Sequence, residues 1–273
     1  MLAAVASEMG EPSLNLPRFD VGLDPATVAA AAREMLGVAA DAHMAWKSAS
    51  AAFDHWREAL ERQGIAVLLF PLGGDNCRGF SLWNDHVPLV AVNTAWNDEA
   101  RTFTLLHELG HLIARIDSAC AAGDPAEVSG AWDPVERWCE VFAAAVLLPE
   151  HTLGAAVREK RAGAERVTTV AEVALLARRF NASLRATTIR LIELGLATWD
   201  IYRALPAATD AKRGGRSVKG GRDQQEIQED SLGGRATDLV RRGMAADVIS
   251  RSEALSYLDV PDNALDDFAT PPA

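Results

Sequence analysis

The chain has 273 residues, 49% of them hydrophobic and 24% charged, which is typical of a soluble globular protein with one large domain or two smaller ones. Its net charge of −11 argues against nucleic acid as the main partner, and no apolar run approaches the roughly 18 residues of a membrane span. Residues 1–12 lack the basic start of a signal peptide. Cys77, Cys120 and Cys139 are odd in number and widely spaced, which favours reduced thiols. We therefore expect a cytoplasmic protein.

The first predicted elements are two helices. Asp24 followed by Pro25 forms an N-cap with proline at the first helical position, and Gly37 ends that helix. A second helix is predicted over residues 42–63, with Gly64 as its stop, because large apolar side chains recur at helical spacing. These side chains are Trp46, Phe53, Trp56 and Leu60.

Three short runs of β-branched, apolar or aromatic residues follow, at 65–70, 79–83 and 88–93, separated by turn signals. They predict a small three-stranded antiparallel sheet. A helix over residues 98–116, capped by Asn97, comes next. This order of elements indicates an α+β fold in which the sheet packs against several helices.

The rest of the chain is predicted to be mostly helical. Asp133 and Pro134 begin a helix that Pro149 ends, and three shorter helices follow, at 151–162, 168–180 and 184–195. Residues 206–234 lack apolar periodicity, which is typical of a linker, and a helical pair at 235–244 and 250–258 precedes an acidic tail. The predicted division is an N-terminal extension (1–23), a core (24–150), a helical extension (151–205), the linker (206–234) and a C-terminal part (235–273).

His107, Glu108 and His111 form an H-E-x-x-H motif within the helix predicted at 98–116. Positions four apart lie on the same helix face, so both imidazoles can reach one metal ion. Catalytic Zn²⁺ sites use three protein ligands plus a water, and the Glu of this motif accepts a proton from that water. Apolar neighbours argue against a chance surface match, because uncompensated polar groups are costly to bury. The motif predicts a metal-dependent hydrolase, provided that a third ligand exists.

Three sources of that ligand compete. Asp117 follows the motif, but no glycine turn brings it back toward the metal. A second source is the helix that starts at Pro134, where Glu136 and Glu140 lie one turn apart and can both face the motif helix. There one carboxylate, Glu136, would bind the metal, and Glu140 would accept a hydrogen bond from a ligand imidazole. The third source is the scattered histidines, His43, His55, His86 and His151.

Glu136 also has a simpler explanation. With Asp133 it matches a capping box, in which its carboxylate only satisfies the backbone at the helix start. The residues of this helix alone leave the two roles open, and the nearby H-E-x-x-H motif favours the ligand role.

Four segments resemble the ImmA/IrrE family of metallopeptidases. They are Gly79-Phe80-Ser81, Val92-Asn93, the run from Phe103-Thr104 to His111, and the run from Glu136 through Glu140 and Phe142 to Pro149. The resemblance covers about residues 25–200. The chain departs from the family pattern at Trp138, Cys139 and Glu140, where Glu, Ala, and Asn or Asp are usual.

The resemblance implies a cytosolic, gluzincin-type zinc endopeptidase that cleaves a helix-turn-helix repressor or a similar regulator. His107, His111 and Glu136 would hold Zn²⁺, and Glu108 would move the proton from the attacking water to the leaving amine. The oxyanion also needs a stabilising group, for which Tyr202, His151 and an arginine are candidates.

Two other functions stay open. Residues 168–195 resemble a helix-turn-helix whose arginines suit a DNA-binding regulator, although the acidic net charge favours a hairpin packed on the peptidase. The arginines are Arg178, Arg179, Arg185 and Arg190. The second alternative is a non-hydrolytic metal or redox sensor in which Cys139 is oxidised or binds the metal. The simpler role for Cys139 is that of a small buried apolar residue.

Overall fold

The computed structural model describes residues 1–72, 77–116, 118–120, 133–160, 166–206, 224–258 and 265. The side chains of 118–120, 160, 224–229 and 258 lie outside that description. Within it the fold is α+β, as predicted, with helices on both faces of one small mixed sheet.

The sheet contains the three predicted strands and a fourth one. These are β1 (Ala66–Phe70), β2 (Gly79–Leu82), β3 (Leu89–Asn93) and β4 (Ser118–Cys120), in the spatial order β1-β3-β2-β4. β2 pairs antiparallel with β3 and with β4, whereas β1 pairs parallel with β3, with Val67 opposite Val90. The short β4 was not predicted.

The prediction of an all-antiparallel sheet is therefore wrong at the β1–β3 pair. Strands that follow one another in the sequence need not be neighbours in the sheet, and here β3 lies between β1 and β2. β3 takes this place because four of its five residues are buried, whereas β2 alternates between buried and exposed positions. β1 is a continuous apolar run, which is the pattern of parallel strands that are covered on both faces.

Four helices pack around the inner face of the sheet. They are α2 (Pro25–Leu36), α3 (Ala49–Arg62), α4 (Asp98–Ala114) and α5 (Pro134–Leu147). Val67, Leu69, Val90 and Val92 point toward this side and join the main core with Phe53 and Trp56 of α3. α4 lies between the sheet and α5, so the helix with the H-E-x-x-H motif is at the centre of the fold.

The helix predicted over 42–63 is interrupted. Residues Ala42–Ala45 form a 3₁₀ turn, Trp46 is extended, and α3 starts only after Ser48. The Ser48 hydroxyl accepts a hydrogen bond from the Ala51 amide at 3.1 Å, so this residue caps the helix rather than continuing one. Helical periodicity across the break concealed this cap.

The three helices predicted after α5 are confirmed, with ends that differ by at most two residues, and a short fourth helix follows them. They are α6 (Glu150–Lys160), α7 (Val170–Arg179), α8 (Leu184–Glu193) and α9 (Trp199–Arg203). In the described ranges no single helix is long and apolar enough to cross a membrane. Together α5 and α6 meet the length and composition requirement, but they are bent by 53°.

The outer face of β1 is covered by both ends of the chain. α1 (Leu2–Glu8) and α10 (Gln224–Ala245) meet there, and Ala6 and Leu239 pack against Ala66. α11 (Arg251–Leu258) completes the C-terminal pair, and Leu265 is buried beside it. Residues 207–223 of the predicted linker lie outside the described residues. Residues 224–234 are mostly helical, so the prediction of a linker is wrong for this last part. Their low apolar periodicity hid a helix that is stabilised by tertiary contacts.

Arg57 joins α10 to the edge of β1. Its guanidinium donates to the Val67 carbonyl at 2.8 Å and to the Asp230 carbonyl at 2.6 Å. Gly233 interrupts α10 with φ 74°, and a Cβ there would lie 2.9 Å from the Val67 oxygen. The helix therefore breaks where it passes the strand edge, which would otherwise expose unpaired backbone groups.

Two buried arginines lie at the C-terminal end of α5. Arg33 of α2 donates to the Val146 carbonyl and to the Ala39 carbonyl, and Arg190 of α8 donates to the Leu148 carbonyl at 3.3 Å. The last carbonyls of a helix have no partner within it and carry partial negative charge, so cations stabilise them. These contacts hold the end of α5 against α2 and α8.

We expect Arg33→Met to lower the free energy of unfolding by about 2–3 kcal/mol, because the buried Val146 carbonyl and the partly buried Ala39 carbonyl lose a charged donor. Urea denaturation measures this change. The matched control is Arg203→Met, since Arg203 is exposed and its ion pair with Asp200 is exposed too, so a change within about 0.5 kcal/mol is expected. Equal effects in the two variants would contradict the role of Arg33.

Candidate metal centre

The motif helix α4 is well defined at both ends. The Asn97 side chain accepts a hydrogen bond from the Ala100 amide at 2.9 Å, which confirms the predicted cap, and Arg115 ends the helix with φ 61°. His107 and His111 are both buried, on the side that faces α5. The sequence therefore places the two imidazoles one turn apart, and the fold places them beside a second helix.

Close packing brings α5 to this face. A Cβ on Gly110 would lie 3.1 Å from Phe142 and 3.2 Å from the Cys139 sulfur, which is tighter than most contacts in proteins. The glycine between the two histidines thus allows α5 to approach α4. This approach brings the first turn of α5 next to the imidazoles.

Glu136 points to the imidazoles rather than to its own helix start. Its carboxylate oxygens lie 3.2 Å from Nε2 of His107 and 3.3 Å from Nε2 of His111. Asp133 still caps α5, because it accepts a hydrogen bond from the Val135 amide at 2.9 Å. Of the two roles left open by the sequence, the geometry supports the ligand role.

The three side chains form a compact donor set. The two Nε2 atoms are 3.1 Å apart, so all three contacts fall between 3.1 and 3.3 Å. Atoms that bind zinc tetrahedrally at about 2.0–2.1 Å lie about 3.3–3.4 Å from one another. If both imidazoles donated an Nε2–H group to Glu136, these two N–H groups would face each other at 3.1 Å. Hydrogen bonds alone therefore do not explain the three short distances. A shared cation satisfies all three donor atoms, so the residues fit a metal ion.

The charge of Glu136 agrees with this role. Hydrogen bonds from His107 and His111 hold the pKa of its carboxyl well below the usual range, against the opposing effect of burial. Glu136 is therefore an anion at neutral pH, as a metal ligand must be. Its side chain is 38% exposed, so the donor set is open to solvent on one side.

Glu108 lies beside the first imidazole in the sequence but is directed toward the sheet. Its Oε2 accepts a hydrogen bond from the Ser81 hydroxyl of β2 at 2.8 Å, and both side chains are fully buried. A carboxylate without partners would be costly here, so this contact stabilises it. The sequence did not predict a role for Ser81, although alternation along β2 was enough to place it on the inner face.

Comparison with known proteins agrees with this geometry. Residues 60–191, which include both histidines, Glu108 and Glu136, match a family model described as Peptidase_M78, IrrE N-terminal-like domain. This segment is a metallopeptidase domain of the ImmA/IrrE family. No curated protein matches the chain at a significant level. The resemblance inferred from the sequence motifs is confirmed, and the donor set belongs to a metallopeptidase.

Glu140 of the peptidase domain does not reach the donor set. Among the described residues it makes no hydrogen bond to either imidazole, and Nδ1 of His111 is buried without a partner. Cys139 and Phe142 are the α5 residues that pack against Gly110. The charged neighbours of Glu140 are Glu136, Arg137, Glu193 and Arg78.

Burial, followed by repulsion from Glu136, raises the pKa of Glu140 from 4.5 to about 7. A carboxyl whose pKa is raised by folding binds its proton more tightly in the folded state. The free energy of unfolding therefore falls as the pH rises from 4.5 to about 7. We expect Glu140→Gln to be more stable than the unchanged protein by about 1–3 kcal/mol at pH 8, with little difference at pH 4.5.

Urea denaturation in EDTA at the two pH values measures this difference. The matched control is Glu150→Gln, because Glu150 lies on the exposed side of α6. A gain in stability that is the same at both pH values would show that burial of the charge at position 140 is not its cause.

Of the other candidate ligands, the four histidines, which the structure describes, do not join the donor set. Asp117 lies outside the described residues. His43 is packed against Trp56 and Phe180, and burial lowers its pKa to about 3. His86 contacts the Glu11 carbonyl at 3.1 Å. His55 and His151 lie on exposed helix surfaces.

The structure gives Cys139 the simpler of its two predicted roles. Its side chain is fully buried against Gly110 between α4 and α5. Burial raises the pKa of the thiol well above its usual range, so the neutral form predominates. A metal ligand or redox-active cysteine requires the thiolate, and Cys139 is not part of the donor set.

The pair formed by α7 and α8 is packed against α5 and α6. In α8, which would be the DNA-recognition helix, Thr187 and Thr188 are buried, and Arg190 binds the end of α5. Arg179 forms an ion pair with Glu159 at 2.6 Å. These contacts support the hairpin interpretation, because they use surfaces that a recognition helix presents to DNA.

The candidates for the oxyanion partner lie on separate elements of the structure. Tyr202 of α9 is largely buried, with Arg185 above its ring at 5.6 Å, and His151 is exposed on α6. Arg78 precedes β2, and its guanidinium lies 4.5 Å from the centre of the Trp96 ring. The charges of two arginines, Arg137 and then Arg78, oppose the rise in the pKa of Glu140.

Proposed function

We propose that the chain is a zinc-dependent endopeptidase of the cytoplasm that cleaves a helix-turn-helix repressor or a similar regulatory protein. The observation that carries the proposal is the convergence of His107, His111 and Glu136, with Glu108 between the two histidines in the sequence. Two imidazoles and one carboxylate are the protein ligands of one class of zinc hydrolases. The family match supports a protein substrate, and the free thiols of Cys77 and Cys139 suit a reducing compartment.

His107, His111 and Glu136 would hold the zinc ion, which would polarise the peptide carbonyl and make a water molecule more acidic. Glu108 accepts a proton from the attacking water and then donates it to the leaving amine. The burial of Glu108 keeps bulk water away from this transfer. The exposed side of Glu136 is where a peptide chain can reach the donor set.

The test is incubation of the zinc-loaded protein with purified helix-turn-helix regulators from the same cell, followed by intact-mass analysis. Glu108→Gln is the matched inactive control. We expect cleavage at one internal peptide bond that depends on Glu108 and is abolished by a chelator. Glu108-dependent cleavage of only unrelated proteins would overturn the substrate class, whereas cleavage that persists in the variant would overturn the mechanism.

A further inference from the structure

A hydrogen bond connects the sheet to the proposed proton acceptor. The Ser81 hydroxyl of β2 donates to Oε2 of Glu108 on α4 at 2.8 Å, across 27 positions of sequence. Both side chains are 0% exposed. A hydrogen bond to an ionised carboxylate in a buried place is among the stronger ones in proteins, so this contact is able to hold the carboxylate in one orientation.

Gly79 sets the distance over which this hydrogen bond forms. It lies two positions before Ser81, on the same face of β2, and a Cβ there would lie 2.7 Å from Thr104 and 2.6 Å from the Ala91 carbonyl oxygen. Thr104 is one turn before Glu108 on α4. The glycine therefore lets α4 approach β2 closely, and a larger residue would move Glu108 away from Ser81.

Orientation matters for the reaction because a glutamate side chain has three rotatable bonds. A general base must lie within hydrogen-bonding reach of the proton that it accepts, and a displacement of about 1 Å costs on the order of 100-fold in rate. A fixed group on a sheet strand restricts the side chain more precisely than a loop does.

We propose that Ser81 is a positioning residue, which holds the Glu108 carboxylate in the orientation needed for proton transfer. This inference rests on the proposed role of Glu108 in the peptidase reaction. Ser81 itself neither accepts a proton nor binds the metal. Its hydroxyl restricts Oε2, and Gly79 provides the close approach of strand and helix.

A double-mutant cycle in the full chain without metal tests the hydrogen bond itself. The variants are Ser81→Ala, Glu108→Ala and the double variant, and urea denaturation measures the unfolding constant of each. We expect a coupling of roughly 10- to 100-fold in that constant. The matched control is Thr102→Val, because the Thr102 hydroxyl is also buried on α4 but donates to the Asp98 carbonyl. Coupling below about twofold for Ser81 would overturn the proposal.

Binding of acetohydroxamic acid to the zinc-loaded protein then separates positioning from simple stabilisation. Its ionisable hydroxyl is a probe for a carboxylate that accepts a proton at the site. We expect Ser81→Ala to weaken this binding roughly tenfold at unchanged zinc affinity, Ser81→Thr to restore it, and Ser81→Ala to have no effect once Glu108 is Ala.

Coupling in stability without any effect on hydroxamate binding would leave Ser81 a structural residue and overturn the proposal. The proposed function fails in a different way. If Glu108→Ala does not weaken hydroxamate binding, then Glu108 is not the proton acceptor, whatever Ser81 does.

Discussion

A Glu108→Gln variant is expected to retain about one zinc ion per chain but to cleave its substrate about 10²- to 10⁴-fold more slowly. The amide is nearly the same size as the carboxylate, and Glu108 is not among the three donor residues, so the metal site is preserved. The amide cannot accept the proton of the attacking water. Metal content by mass spectrometry and cleavage by intact mass measure the two effects separately.

The matched control is Glu99→Gln, which changes a carboxylate in the first turn of the same helix. It should keep both the zinc ion and the cleavage rate, because residue 99 is more than two turns away from the donor set. Loss of zinc from Glu108→Gln would mean that Glu108 is a ligand. Unchanged cleavage would mean that another group accepts the proton.

A Glu136→Gln variant is expected to lose zinc affinity by more than 100-fold. Removal of a residue that only supports a ligand typically costs 10- to 100-fold in metal affinity, so removal of one of three direct ligands costs more. The carboxylate also supplies the negative charge of the donor set, which a neutral amide does not replace. Competition with a chromophoric zinc chelator measures the affinity.

Glu140→Gln is the control for this measurement, because it makes the same change one turn further along α5. Because Glu140 makes no hydrogen bond to the imidazoles among the described residues, we expect Glu140→Gln to lower the zinc affinity by less than 10-fold. An effect of 10- to 100-fold would instead support the role beside a ligand imidazole that the sequence predicted. Equal losses for both variants would contradict the assignment of Glu136 as the third ligand.

α4 lies between α5 and the sheet, and this position explains why a few residues are enough to form the site. Gly110 of α4 permits close packing against α5, and Gly79 of β2 permits close packing against Thr104 of α4. The imidazoles thus face Glu136, and Glu108 faces Ser81. The same helix therefore supplies two candidate metal ligands and the proposed proton acceptor.

Local patterns in the sequence determined most of the helices and strands, because caps, stops and periodicity act within a few residues. Asn97, Ser48 and Asp133 cap helices in the structure, but only Asn97 and Asp133 were recognised in advance. Ser48 was missed because the apolar spacing on both sides of it happens to be compatible with one helix. The fourth strand and the helical start of α10 were missed because contacts far away in sequence stabilise them.

The sequence by itself determined the chemistry of the two imidazoles, since an i, i+4 pair on a helix needs only local geometry. It also restricted the third ligand to a few acidic residues and histidines. Only the tertiary structure decided that Glu136 completes the donor set, that Glu140 is not part of it, and that Ser81 contacts Glu108. These three outcomes depend on how closely α4 packs against α5 and β2. Packing distances between elements are set by side chains that the chain brings together only when it folds.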